Sequence, residues 1–198
     1  MKTFIFASNN KHKAEEIKSI LHHQCEIITL KEAGITIDIP EPHHTLQENA
    51  SEKSTVIFKL TGSDCFSEDS GLEVVALGGA PGVRSARYAG EKADDEKNID
   101  KLLKEMSGVE NRNACFRTVI SLILDGKEYF FEGRCEGQIT TERKGSNGFG
   151  YDPVFIPSGQ EKTFAEMSIA EKTNISHRKK AAEKMALLLE QHFSRTTK

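Results

Sequence analysis

Glu68 and Asp69 stand side by side in CFSEDSGLEV (65–74), where an apolar run gives way to Ser70 and Gly71. Paired acids in such a setting need a counter-charge, which water, a basic side chain or a metal ion can supply. Further acids lie upstream: Glu41 in the proline-marked DIPEPHH (38–44) and Glu48 in QENASEK (47–53). A hard cation such as Mg²⁺ needs only one or two carboxylates, because substrate phosphates and water complete its octahedron. Taken singly, Glu48 also reads as an acid favoured by a helix N-terminus, and Glu41 as a solvated loop charge. Successive strand residues face opposite sides. At most one of Glu68 and Asp69 therefore enters a given site, unless the strand has already ended.

Three other segments carry chemistry. SNNKHK (8–13) lies between a strand and a helix, where free N–H groups attract anions and where Lys11 and Lys13 add positive charge. The Walker spacing is absent, and a solvated turn is the plain alternative. GFGYDP (148–153) sets Phe149 and Tyr151 among glycines, with Asp152 as an acceptor. Its glycines allow a flat ligand to approach the backbone, and Phe149 offers a face to a nucleobase; an ordinary apolar turn is the alternative. In EKTNISHRKKAAEKM (171–185), Lys172, His177 and Arg178 fall just before or at the start of a helix. Cations there oppose the helix dipole unless an anion or acceptor meets them, and such local conflicts mark functional sites. A solvated basic patch explains them equally well.

These residues need a frame. TFIFAS (3–8) reads as a strand stopped by Asn9 and Asn10, and Ala14, Ile17, Ile20 and Leu21 follow at helical spacing. CEIITL (25–30) reads as a second strand. Residues 45–61 read as a helix with Leu46, Ala50, Ile57 and Leu60 on one side, and CFSE (65–68) as the next strand. GGAPGVRSARYAG (78–90) has the composition of a loop. Residues 94–107 read as a helix with an Ile99, Leu102, Leu103 and Met106 stripe, closed by Gly108. ACFRTVISLILD (114–125) and EYFFEGRCEGQIT (128–140) meet at Asp125-Gly126, a strong hairpin signal. RKGSNGFGYDP (143–153) is a glycine-rich loop before the PVFI strand. The last helix begins near Ser176 and carries Ala181, Met185, Leu188 and Leu189. Helices interleaved with strands, one pair of which must be antiparallel, predict an α/β fold with a mixed sheet.

The bulk numbers narrow the partners. At 198 residues, 37% hydrophobic and 29% charged, the chain suits one well-packed domain. A net charge of −3, from 27 basic and 30 acidic residues, offers no surplus for a nucleic-acid polymer. Cys25, Cys65, Cys115 and Cys135 form no CxxC pair, which argues against zinc and for buried thiols in a reducing compartment. The apolar run in MKTFIFASNNKHK is too short for a signal peptide, and no stretch approaches the roughly 20 apolar residues of a membrane helix. A cytoplasmic protein without membrane contact is expected.

In their order, the segments closely resemble the inosine/xanthosine triphosphate pyrophosphatase family. The matching motifs are Ser8-Asn9-Asn10-x-x-Lys13-x-x-Glu16, Glu48-Asn49-Ala50-x-x-Lys53, Glu68-Asp69-Ser70-Gly71-Leu72, Gly78-Gly79-Ala80-Pro81-Gly82, Ser85-Ala86-Arg87-Tyr88, Phe149-Gly150-Tyr151-Asp152-Pro153 and Ser176-His177-Arg178. The resemblance runs from residue 3 to about residue 190. It implies one two-lobed domain over residues 1–198, with an elongated mixed β-sheet flanked by helices around a central cleft, as a homodimer. It also implies Mg²⁺-dependent hydrolysis of ITP, XTP and their deoxy forms to monophosphate and pyrophosphate.

Carried over by position, Asp69 is the general base and a metal ligand, and Glu41 the second metal carboxylate. Ser8, Asn9, Asn10, Lys11, His12, Lys13, Lys53 and Ser70 are implied to hold phosphates and sugar. Phe149, Gly150, Tyr151, Asp152, Lys172, His177 and Arg178 are implied to hold the base. Two departures stand out. Asn9 replaces the usual glycine, and is expected to survive because asparagine tolerates left-handed backbone. Glu68 replaces the usual first aspartate, keeping Asp69 in place. The competing readings are a Maf-like pyrophosphatase acting on other modified nucleotides, a nucleotide-binding protein without catalysis, and a phosphatase releasing orthophosphate.

Overall fold

Residues 2–21 and 23–196 are described in a computed structural model. Strand β1 (Thr3–Phe6) leads through a polar turn into helix α1 (Lys11–Leu21), and β2 (Glu26–Thr29) returns parallel to β1 with Thr3 opposite Glu26. Helix α2 (Leu46–Thr61) precedes β3 (Cys65–Val74), which pairs parallel to β1 at Ile5–Cys65 and Phe6–Phe66. Helix α3 (Asp95–Glu105) is followed by the hairpin of β4 (Asn113–Leu124) and β5 (Lys127–Ile139). Strand β6 (Phe155–Pro157) runs antiparallel to β5, and α4 (Ile169–Ile175) and α5 (His177–Thr196) close the chain. The hydrogen-bonded strand order is β2-β1-β3-β4-β5-β6, a mixed sheet in an α/β fold, as the periodicities predict.

Local chemistry explains the element ends. Thr45 caps α2 by accepting from the Glu48 N–H, and Gly62 closes the helix in the left-handed region at φ 65°. Asp125 and Gly126 both take positive φ, 50° and 76°, as a two-residue hairpin loop requires. Asp94 caps α3, and Gly108 (φ 73°) turns the chain just beyond it.

The sequence reading needs four corrections. Strand β3 does not stop at the acid pair but runs on to Val74, so Gly71 lies within the strand. A Cβ at Gly71 would overlap the Gly82 carbonyl. The bare hydrogen lets the 80–85 segment lie against β3, where the Leu72 N–H donates to Ser85 Oγ at 2.8 Å and the Val74 N–H to the Ala80 carbonyl at 3.1 Å. That segment is also not plain loop, since Gly82–Arg87 forms a 3₁₀ helix. Leu60 is 57% exposed, because it falls in the last turn of α2; the buried face is completed by Asn49, Lys53 and Ser54. Lys172 sits in its own short helix, α4, because Ser168 and Glu171 form a capping box that starts a helix there.

The chain folds into two compact units. Unit 1 holds Met1–Asp69, Thr118–Gly133 and Arg178–Lys198, and unit 2 holds Ser70–Arg117 and Arg134–His177. Within unit 1, Phe6 and Phe66 stack at 4.8 Å inside a core with Ile17, Leu21, Leu122 and Met185, and a smaller cluster joins Ile5, Ile57 and Ile123. Within unit 2, Leu72, Ile99 and Leu102 pack with Phe116, Phe155 and Phe164. These cores hold β3 and the helix faces rigidly, which is the condition for aiming side chains.

Candidate active site

The acids of unit 1 separate as strand alternation requires. Glu68 receives the Arg178 fork, with Nε and Nη2 each at 2.8 Å, and the Thr118 hydroxyl at 2.9 Å. Lys13 Nζ lies 3.5 Å from the same carboxylate, and Arg178 Nη1 also binds Glu16. Arg178 is 1% exposed. Burial works against its charge, but Glu68 and Glu16 hold its pKa above the ordinary arginine value. The basic start of α5 thus meets acceptors inside the protein. Glu68 serves as the arginine's partner.

Asp69 faces the other way. Its Oδ1 lies 3.5 Å from Lys53 Nζ, and its Oδ2 accepts from Asn49 Nδ2 at 3.3 Å. Lys53 Nζ also donates to Glu41 Oε1 at 2.6 Å and to the Glu68 carbonyl at 2.8 Å. Glu41 is presented by its neighbours: Pro40 lacks a backbone donor, and Pro42 biases Glu41 toward extended geometry. Burial raises the pKa of Asp69 against the pull of Lys53 and Lys13. Burial lowers that of Lys53, but Asp69 and Glu41 more than compensate and leave it raised. Lys13 is shifted down, with burial and the Arg178 and Lys53 charges outweighing Glu68. Three cations, Lys13, Lys53 and Arg178, face four carboxylates, Glu16, Glu41, Glu68 and Asp69.

The 8–13 segment forms its own turn. The Asn10 N–H donates to Ser8 Oγ at 3.1 Å, and Asn10 Oδ1 caps α1 by accepting from the Lys13 N–H at 3.1 Å. Lys11 and His12 are exposed in the first turn. Asn9 Oδ1 accepts from the Lys31 N–H at 2.9 Å. Asp125 is the non-glycine residue with positive φ among those described, so Asn9 needs no left-handed tolerance. Its amide instead ties the turn to the segment after β2. Glu48 belongs to the Thr45 cap, whose hydroxyl donates to Glu48 Oε2 at 2.8 Å.

Unit 2 gathers a second set. Asp152 Oδ2 accepts from Lys172 Nζ at 2.6 Å and from the Phe149 N–H at 2.9 Å. The ammonium lies 4.6 Å from the Phe149 ring centre, a cation–π contact. Gly148 (φ 77°) is required here twice, by its backbone and because a Cβ would overlap the Asp152 carboxylate. The Gly150 N–H donates to Asp95 Oδ2 at 2.8 Å, anchoring the loop on α3. Tyr151 turns inward, its hydroxyl donating to the Ser85 carbonyl at 2.8 Å. His177 is buried and stacks on Phe116 at 4.9 Å. Ser70 is half-buried on β3. Among the described residues no group of three or more His, Cys, Asp or Glu forms a ready metal cage.

The model of the Ham1 family matches residues 4–188. The chain belongs to the Ham1 family. It is 54% identical over 179 residues to the dITP/XTP pyrophosphatase of Porphyromonas gingivalis, spanning 90% of this chain and 92% of that protein. It is 44% identical to the dITP/XTP pyrophosphatase of Bacillus subtilis, spanning 96% and 98%. The solved structure of the Staphylococcus aureus Ham1 protein superposes with a TM-score of 0.88 at 40% identity, covering 96% of this chain and 100% of that one.

Three residues in these two clusters, Asn49, Thr118 and Asp95, were not singled out as site residues from the sequence. Asn49 sits one helical turn before Lys53, and that spacing on one face was a usable signal. Thr118 on β4 and Asp95 on α3 carried none, since only folding brings them to Glu68 and Gly150.

Proposed function

We propose that this chain hydrolyses abnormal purine nucleoside triphosphates (ITP, dITP, XTP and dXTP) to the monophosphate and pyrophosphate, with Mg²⁺. The observation that carries the reading is the Glu41–Lys53–Asp69 cluster, in which two carboxylates from different segments share one ammonium. Its donors suit a hard cation, which takes oxygen ligands and leaves room for phosphate and water. A triphosphate also carries negative charge into a group whose carboxylates already outnumber its cations, so a divalent ion makes its arrival favourable. Bound to Glu41 and Asp69, Mg²⁺ would supply Lewis acidity toward the phosphates.

The chain's own residues do the rest. The 8–13 turn, Lys53 and Ser70 hold the phosphates and sugar. Lys13 and Lys53 place positive charge where the leaving pyrophosphate gathers negative charge. Asp69 orients the attacking water toward the α phosphorus and accepts its proton. Phe149 to Asp152, Lys172, His177 and Arg178 take the base, with Phe149 as the stacking face. Lys172 is a donor that suits the 6-keto oxygen of hypoxanthine or xanthine. Adenine offers an amine there and leaves donors unpaired, which hydrogen-bonding sites reject strongly. Arg178 reaches a base only by releasing part of its hold on Glu68 or Glu16.

The protein works in this reading as one domain, a homodimer in the cytoplasm, on free nucleotides. The four cysteines form no disulfide, as a reducing compartment allows, and no described helix is long and apolar enough to cross a membrane. The test is a nucleotide panel with Mg²⁺ in which pyrophosphate and orthophosphate are both quantified. ITP and XTP are expected to yield pyrophosphate, and Asp69→Asn to bind nucleotide without turnover. Orthophosphate as the product, turnover of pyrimidine nucleotides alone, or an active Asp69→Asn would overturn the assignment.

A further inference from the structure

Asn49 is 2% exposed and uses its whole amide. Oδ1 accepts from the His43 N–H at 3.0 Å, while Nδ2 donates to the His43 carbonyl at 3.4 Å and to Asp69 Oδ2 at 3.3 Å. The orientation of the amide follows from chemistry: the His43 N–H can only donate, so the oxygen must face it. The two Nδ2 protons then fall to the His43 carbonyl and to Asp69. One side chain on a rigid helix thereby grips two segments. It fixes Asp69 by one oxygen, leaving Oδ1 toward Lys53, and it clamps the backbone two residues beyond Glu41.

We propose that Asn49 is a positioning residue that sets the separation and aim of the Glu41 and Asp69 carboxylates, and so the affinity for the divalent ion. This rests on the metal reading given above. The segment 38–45 has no helix or strand of its own, so its backbone needs such a clamp to keep Glu41 in place. The supporting bonds of metal-ligating carboxylates typically govern affinity by 10- to 100-fold.

The test measures Mn²⁺ binding to the nucleotide-free protein by electron paramagnetic resonance, with Mg²⁺ half-activation and the KM for ITP measured alongside. Asn49→Ala is expected to weaken Mn²⁺ binding about 10-fold or more and to raise the Mg²⁺ half-activation concentration in step. The KM for ITP at saturating Mg²⁺ should stay within about twofold, since Asn49 is assigned no contact with nucleotide. Asn49→Ser is run beside it, with thermal melts of both, so that one folded variant is in hand. Glu48→Gln, in the same first turn but facing the Thr45 cap, should leave metal affinity unchanged.

Unchanged Mn²⁺ affinity in both Asn49 variants, while Asp69→Asn and Glu41→Gln weaken it, overturns the positioning role and leaves the metal site standing. If Asp69→Asn and Glu41→Gln also leave Mn²⁺ binding unchanged, the metal reading itself fails and takes this proposal with it.

Discussion

Arg178→Met isolates the largest electrostatic commitment in the protein. The arginine is 1% exposed, and its guanidinium holds both Glu68 and Glu16. Methionine fills much of the same space but leaves two buried carboxylates without their main cation. Breaking a buried pair in this way costs about 3–5 kcal/mol. At about 1.4 kcal/mol per factor of ten, the folded-to-unfolded ratio falls roughly 140- to 3,700-fold. Urea unfolding followed by circular dichroism reads the loss directly. The pH dependence provides a second check. In the variant, burial raises both glutamate pKa values above those of the unfolded chain. Their ionised forms then destabilise the fold above the raised pKa, and the deficit shrinks as pH falls through it. The variant should therefore approach the parent as the solution is acidified from neutral pH. Adding Glu68→Gln and Glu16→Gln removes the stranded charges and should recover most of the loss. A deficit below about 1 kcal/mol at pH 7, or one that does not shrink on acidification, refutes the reasoning.

Two further predictions test packing and a local cap. Gly71→Ala places a methyl group against the Gly82 carbonyl, which is backbone and cannot swing aside, so urea unfolding should show a loss of about 1–3 kcal/mol. Gly90→Ala, with open space around it, should change little, and equal effects at the two sites would reject the close-approach argument. Glu32 accepts from the Thr29 N–H at 2.7 Å and binds Lys18, which holds its pKa down at about 2 from the usual 4.5. Its folded value lies below its unfolded one, so its stabilisation is present above about 4.5 and is lost as pH falls toward about 2. The stability gap between the parent and Glu32→Gln should close over that window, and a gap independent of pH would contradict the bond pattern.

Elements and turns were legible in the sequence because their causes are local. Asp125-Gly126 needs positive φ whatever surrounds it, and the apolar spacings of α1, α3 and α5 are properties of single segments. The strand alternation that separates Glu68 from Asp69 is equally local, and it holds in the structure. The length of β3 was not legible. Polar Glu68, Asp69 and Ser70 read as an exit, because a strand buried on both faces normally lacks charge. Only the folded chain supplies the Arg178, Thr118 and Lys53 partners that let charge stay inside.

The sequence by itself determined which residues are available for chemistry: the acids at 41 and 69, the lysines at 13 and 53, and the aromatic loop at 149–152. It also carried the motif order of the family to which the chain belongs. Tertiary structure alone decided the pairing. Glu68 and Arg178 are 110 residues apart in the chain, and Arg178 and Glu16 are 162 apart. No local pattern encodes such contacts. They exist because burying the apolar faces of β3, α1 and α5 in one core brings charged side chains together out of water, where each must find an opposite.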